Sequence, residues 1–309
     1  MDETTRMQEL LNATFPRLAT MSPLDGRAAA DERIRPATNL DDVAATDDLV
    51  VEVAGSHSIP IRIYHPHEER AGAPTTVYAH GGGFLHGSIA GHDGFCRRWA
   101  RATRAVVVSV DYRLAPEAGP GAARDDVVAV ADAAVVTGFA EHGLVLAGDS
   151  SGGNVAAGAA IRLRDRGESP VVGQVLLYPF LDPTMSSESH RTRAKGYFVT
   201  AELLAHYWRT FLGDRPDRFD ADVTPLAVHD LTGLPPAIVV TAGLDPLCDE
   251  GIDFARRLRD AAVPVVLRHH PDQFHGFLTI PGYSPGVSAA EILWSDLRSL
   301  TDPDPKDRR

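Results

Sequence analysis

The chain has 309 residues, 44% hydrophobic and 23% charged, which is ordinary globular usage and excludes an extended disordered polymer. Its 42 acidic and 30 basic residues leave a formal charge of −12, with no lysine- and arginine-rich run to override it. Nucleic acid and anionic lipid surfaces are thereby excluded as partners, and a neutral or cationic small molecule is expected. The two cysteines, Cys96 and Cys248, do not make a disulfide scaffold and suit a reducing compartment. Met1 to Met7 lacks an apolar core for export, and no apolar run approaches the roughly 18 residues of a membrane helix, so a cytoplasmic protein without stable membrane association is expected.

Residues 1 to about 47 carry short helical patterns such as Met7–Leu11 between polar and acidic stretches. A strand pair follows, Leu49–Val53 and Ile59–Tyr64, joined by a turn at Gly55–Ser58. From residue 74 onward, short valine-rich runs alternate with longer helical patterns. The runs are Thr76–Ala79, Ala105–Val110, Leu144–Ala147, Val175–Tyr178, Ala237–Thr241 and Val263–Leu267, and the helical patterns lie at about 121–139, 152–166 and 249–262. Runs of this kind are strands buried on both faces, and the alternation predicts an α/β fold with a mostly parallel twisted sheet flanked by helices. One interval breaks the rhythm. Between Pro179 and Pro235 stand a polar loop (Asp182–Lys195), an aromatic helical stretch (Ala201–Trp208) and an acidic loop (Gly213–Asp222). An insertion there overlies the C-terminal edge of the sheet, where open α/β folds bind ligands, and is expected to form a helical cap. The expected organisation is 1–47 as the N-terminal part of the cap, 48–181 as catalytic core, 182–222 as cap insertion and 223–309 as core continued. The proline- and charge-rich tail, Thr301–Arg309, is expected to fray, and there is no internal repeat.

Three places in this frame carry chemistry. Gly148-Asp149-Ser150-Ser151-Gly152 follows a strand and opens a helix, the setting in which a Gly-x-Ser-x-Gly turn exposes a nucleophilic serine, here Ser150. His80-Gly81-Gly82-Gly83-Phe84 follows the strand Thr76–Ala79. Consecutive glycines let backbone N–H groups point into a pocket, so Gly82 and Gly83, with the N–H of Ser151, are the expected oxyanion hole, supported by His80 and Gly81. Asp245 follows the strand Ala237–Thr241 and His275 the strand Val263–Leu267, giving the order serine, acid, histidine. His275 is the expected base, chosen over His269 and His270, and Asp245 its orienter, chosen over Asp249 and Glu250. Neither His80-His86-His92 nor His269-His270 has ligand spacing, so no metal and no cofactor is expected. The aromatics Tyr197, Phe198, Tyr207, Trp208 and Phe211 suggest either an apolar substrate pocket or the core of the cap.

Together with Asp111-Tyr112-Arg113-Leu114-Ala115-Pro116-Glu117, Tyr178-Pro179, Asp245-Pro246-Leu247-Cys248-Asp249-Glu250-Gly251 and His275-Gly276-Phe277, these pieces resemble the hormone-sensitive-lipase family of bacterial esterases, within the α/β-hydrolase fold. The resemblance spans residues 80 to 277 and implies a cofactor-independent carboxylesterase for short- to medium-chain acyl esters, working through an acyl-enzyme, with a helical cap and frequent homodimers. It also implies a structural role for Asp111–Glu117. Ser151 departs from the alanine common there, Gly119–Ala123 from a Phe-Pro-Ala-Ala segment, and Cys248 from a frequent arginine. The same chemistry serves an amidase or a deacetylase of one metabolite. A non-catalytic small-molecule receptor would do without the histidine that is present here as His275.

Overall fold

The computed structural model describes residues 2–167, 169–214 and 223–302. Eight strands form one sheet: β1 (Ala45–Val53), β2 (His57–His65), β3 (Thr75–Ala79), β4 (Val107–Val110), β5 (Leu144–Asp149), β6 (Val171–Leu177), β7 (Ala237–Leu244) and β8 (Val265–Phe274). Their spatial order is β1-β2-β4-β3-β5-β6-β7-β8. Antiparallel pairing at β1/β2 and β2/β4 gives way to parallel pairing from β4 through β8. The helices among the described residues are α1 (Glu3–Thr14), α2 (Pro23–Asp31), α3 (Ile89–Thr103), α4 (Ala122–Val136), α5 (Ser151–Asp165), α6 (Glu188–Thr192), α7 (Ala201–Leu212), α8 (Cys248–Asp260) and α9 (Ser284–Thr301).

The valine-rich runs are strands because each has two apolar faces to bury. Val77, Val108 and Leu146 enter a core shared with α4, α5 and α8. Their neighbours Tyr78, Val107 and Val145 point the opposite way, into a second core built on Phe95, Trp99, Leu293 and Trp294. Alternate side chains of one strand thus feed opposite layers. That second layer consists of α3 and α9, neither of which the sequence pattern singled out. Charged and polar residues interrupt α3, and α9 opens on Ser284-Pro285-Gly286, which reads as a turn.

Every expected strand is present, with shifted ends. The strand expected at Ala105 starts at Val107, and that expected at Val263 starts at Val265 and runs on to Phe274, so His269 and His270 lie inside it. The polar loop Asp182–Lys195 contains the short helix α6, and the aromatic stretch is α7. Residues 215–222 of the acidic loop and 303–309 of the tail lie outside the described residues, while Thr301 closes α9. Helix α1 is tied to the insertion and to the start of α9. Asn12 Nδ2 donates to the Gly196 carbonyl at 3.0 Å and Asn12 Oδ1 accepts from the Phe198 N–H at 3.0 Å. The hydroxyls of Thr4 and Tyr283 meet at 2.8 Å. No described helix is long and apolar enough to cross a membrane.

Candidate active site

Sheet geometry places the serine. β5 ends at Asp149, α5 begins at Ser151, and the residue between them makes the whole reversal. Ser150 has φ 56 and ψ −121, a left-handed conformation that a side-chain-bearing residue adopts only when its surroundings impose it. They do so here by close approach: a Cβ on Gly152 would run into the Ala79 and His80 carbonyls, and one on Gly148 into the Gly152 carbonyl. The Ser150 N–H donates to the Leu177 carbonyl at 2.9 Å, and its own carbonyl accepts from the Gly153 and Phe180 N–H groups, each at 3.0 Å. The hydroxyl is left free to project above the sheet beside the N-terminus of α5, which favours negative charge.

The loops after β7 and β8 bring the other two candidates to it. His275 Nε2 lies 2.9 Å from Ser150 Oγ, and His275 Nδ1 lies 2.7 Å from Asp245 Oδ2. Asp245 has no solvent exposure, and its Oδ1 accepts the Leu247 N–H at 2.9 Å, so the carboxylate is held from both sides. The rival residues are occupied elsewhere. His269 Nδ1 is 3.0 Å from Thr241 Oγ1, Asp249 Oδ2 accepts the Ser189 N–H at 2.8 Å, and Glu250 Oε1 accepts the Leu181 N–H at 2.6 Å.

The glycine loop sits across from Ser150. His80 is fully buried, stacks on Tyr112 at 4.3 Å and 16°, and its carbonyl accepts the Tyr112 hydroxyl at 2.5 Å. Burial, reinforced by the nearby charge of His92, pulls the His80 imidazole down to about 3, so it is neutral and structural. Tyr112 is thereby given a supporting place at the loop, as expected for the Asp111–Glu117 motif. The Gly81 N–H donates to Asp149 Oδ1 at 2.8 Å. The N–H groups of Gly82 and Gly83 have no partner among the described residues. Ser151 is fully buried with its side chain beside the Tyr112 hydroxyl, so the extra oxygen relative to alanine points into the scaffold.

A cavity of about 250 Å³ joins these parts. Ser150, His275, Gly82 and Gly83 line it, together with Phe15 and Ile34 from the N-terminal segment and Phe198, Leu203 and Tyr207 from the insertion. The aromatic group of the insertion divides: Phe198 and Tyr207 face the cavity, whereas Trp208 and Phe211 pack on Phe84 and belong to the core. Sequence reasoning missed Asp149, Tyr78 and His92. Asp149 Oδ1 accepts the Tyr78 hydroxyl at 2.7 Å and lies 3.2 Å from His92 Nε2, which braces the glycine loop from below. It also missed the pairing of His86 with Tyr207, for which no spacing in the sequence offers a signal.

Both cysteines are free and buried. Burial, with Asp245 and Asp249 nearby, pushes the Cys248 thiol up to about 12, so it is not a nucleophile at neutral pH. Among the described residues no group of three or more His, Cys, Asp and Glu side chains is arranged to hold a metal ion.

Residues 76–279 match a family model described as alpha/beta hydrolase fold. The esterase LipI of Mycobacterium tuberculosis is 35% identical over 280 residues, covering 86% of each chain. The carboxylesterase NlhH of the same organism is 34% identical over 304 residues, covering 94% of this chain and 93% of the relative. The solved structure of a hyperthermophilic esterase from the archaeon Pyrobaculum calidifontis superposes with a TM-score of 0.86 at 34% identity, over 96% of this chain and 97% of that one. By that match and these identities, the chain belongs to the α/β-hydrolase family, in agreement with the resemblance carried by its motifs.

Proposed function

We propose that this protein is a carboxylesterase that cleaves short- to medium-chain acyl esters with Ser150 as nucleophile, His275 as general base and acid, and Asp245 as orienter. His275 Nε2 takes the proton as Ser150 Oγ attacks the ester carbonyl. The carbonyl electrons move to oxygen, and that oxyanion is met by the N–H groups of Gly82, Gly83 and Ser151. Collapse expels the alcohol, protonated by His275, and leaves an acyl-enzyme. Water, activated by the same histidine, then releases the acid. Asp245 holds the imidazole tautomer and stabilises the imidazolium that forms.

One observation carries this reading. The chain of contacts Ser150 Oγ, His275 Nε2, His275 Nδ1 and Asp245 Oδ2, at 2.9 and 2.7 Å, opens into the same cavity as the two unpartnered glycine N–H groups. The esterase relatives support the reaction type. Residues 1–47 and 182–222 are proposed as the cap, because Phe15 and Ile34 from the first and Phe198, Leu203 and Tyr207 from the second wall the cavity. A cavity of about 250 Å³, mostly apolar at that wall, suits a small acyl group better than a long chain. The test is a series of p-nitrophenyl esters of increasing acyl length with wild type and Ser150→Ala. Turnover that peaks at short to medium chains and vanishes in the variant is expected. Wild type that neither turns over nor is labelled by an organophosphate would overturn the reading.

A further inference from the structure

Helix α7 from the insertion roofs the glycine loop, and its contacts there go beyond filling space. Gly82, Gly83 and Phe84 have φ 137, 61 and 66, three successive residues in the left-handed region. The two glycines take that region freely, but Phe84 holds it only where the surroundings impose it. Three side chains of α7 supply that constraint. Phe211 stacks on Phe84 at 3.9 Å and 12°, with Trp208 at 5.3 Å from the same ring. Tyr207 lies flat on Gly83, so closely that a Cβ there would run into its ring. The Tyr207 hydroxyl then reaches His86 Nε2 at 2.6 Å, and the His86 N–H returns to the Gly82 carbonyl at 3.1 Å. One residue therefore touches the loop at both ends, its ring on Gly83 and its hydroxyl on the residue that closes back onto Gly82. Burial, aided by the charges of Arg27 and His206, holds the His86 imidazole down at about 4, so this bond joins two neutral groups across the working range.

We propose that Tyr207 is a positioning residue for ester hydrolysis: through its hydrogen bond to His86 it sets the Gly82 and Gly83 N–H groups where the tetrahedral oxyanion forms. The proposal rests on the reading of Ser150 and this loop given above. It makes α7 a fixed roof over the reaction centre, not a lid that swings clear. Because the loop meets the oxyanion and not the ground-state ester, the hydroxyl acts on kcat far more than on KM.

Tyr207→Phe tests this, since it keeps the ring on Gly83 and removes only the hydroxyl. The kcat is expected to fall on the order of tenfold with KM within about twofold, less than the roughly 100- to 1,000-fold of losing a donor outright. A trifluoromethyl ketone provides the readout that a merely structural role does not move. Its carbonyl carbon bonds to Ser150 Oγ, the carbonyl electrons move to oxygen, and the serine proton passes to His275. Its affinity is expected to weaken by the same factor as kcat, while that of the product alcohol stays unchanged. His86→Gln, which keeps a partner for the hydroxyl, is expected to remain near wild type. His86→Leu is expected to match Tyr207→Phe, and the double variant to be no worse than either single one. Wild-type kcat in Tyr207→Phe, or a kcat loss with unchanged ketone affinity, would overturn the proposal. Ser150→Ala in the same assay separates the two readings. Residual hydrolysis there removes the nucleophile assignment and this proposal with it, whereas an inactive Ser150→Ala beside a normal Tyr207→Phe removes this proposal alone.

Discussion

His92 Nε2 lies 3.2 Å from Asp149 Oδ1, in the interior and one residue before Ser150. The same oxygen accepts the Tyr78 hydroxyl at 2.7 Å and the Gly81 N–H at 2.8 Å, so this pair ties the Ser150 turn to the glycine loop. Burial is the largest single influence and disfavours both charges, but the partners together outweigh it: Asp149 with the Ser88 carbonyl raises His92 above its ordinary 6.5, and His92 with Tyr78 and the Gly81 N–H lowers Asp149 below its ordinary 3.8.

The signs fix a pH window. The His92 contribution is fully present below its unfolded value of 6.5 and is lost as pH rises through its raised folded value. The Asp149 contribution is present above its unfolded value of 3.8 and is lost as pH falls through its depressed folded value. Wild type therefore loses stability on the alkaline side of the window. Asp149→Asn is expected to cost about 3–5 kcal/mol near pH 6 and to abolish that alkaline slope, because His92 is left without its counter-charge. Thermal unfolding of both proteins at several pH values between about 5 and 9 checks this, and equal slopes would count against the pair.

Asp245→Asn separates orientation from packing. The amide oxygen can still accept the Leu247 N–H now held at 2.9 Å, so the loop stays in place. The amide nitrogen then faces His275 Nδ1 as a donor, which forces the proton onto Nε2, where it cannot receive one from Ser150. The kcat is expected to fall on the order of 10⁴-fold with little change in melting temperature. A drop of less than about tenfold in p-nitrophenyl acetate turnover would show that another group orients the histidine.

Gly82→Ala probes the proposed oxyanion role of the glycine loop from its backbone. The new Cβ would run into the His86 carbonyl, at a φ of 137 that only glycine adopts readily. The loop must refold, and the Gly82 donor leaves its place. Turnover is expected to fall about 100- to 1,000-fold, with organophosphate labelling of Ser150 slowed in parallel. Labelling at the wild-type rate would place the oxyanion elsewhere.

Glu250 is a buried acid that the chemistry does not use. Burial, with Asp182 and Asp245 nearby, holds its carboxyl well above the ordinary 4.5, while Oε1 accepts the Leu181 N–H at 2.6 Å. A neutral carboxyl is close in shape to an amide. Glu250→Gln is therefore expected to cost under about 1 kcal/mol at pH 6, and Glu250→Ala, which orphans a buried N–H, about 1–3 kcal/mol. Because the folded value of this acid is raised, wild type loses stability as pH climbs above 4.5, so Glu250→Gln should gain on it steadily towards alkaline pH. Denaturant midpoints at three pH values decide the matter, and a constant difference would mean that Glu250 is ionised in the fold.

The parts of the site that could be read from the chain share one property: each stands just past a strand, buried throughout at β3 and β5, over most of its length at β7, and only partly at the edge strand β8. Ser150, Asp245 and His275 come directly after β5, β7 and β8, and Gly82 and Gly83 shortly after β3. A strand buried on both faces leaves an unbroken apolar run in the sequence, so the residues at its C-terminal end can be located without a structure. The helices α3 and α9 left no such run, since each shows one apolar stripe to the sheet and breaks it with charges or with Pro285 and Gly286. Whether the aromatic group lines a pocket or fills the core was open in the sequence for the same reason, and the structure shows some of each. α7 turns Tyr207 towards the cavity and Phe211 towards Phe84, and four residues along a helix do not say which of two neighbours each will meet.

By itself, then, the sequence determined the sheet, the order of the catalytic candidates along it and the glycine loop, because these depend on local periodicity and on residues whose backbone demands are strict. Only the tertiary structure decided that Asp149 pairs with His92, 57 positions away, that Asn12 joins the N-terminal helix to the insertion, and that Tyr207 closes on His86. Those contacts join segments far apart in the chain through ordinary polar groups, and a polar side chain carries no mark of its partner until burial removes water as the alternative.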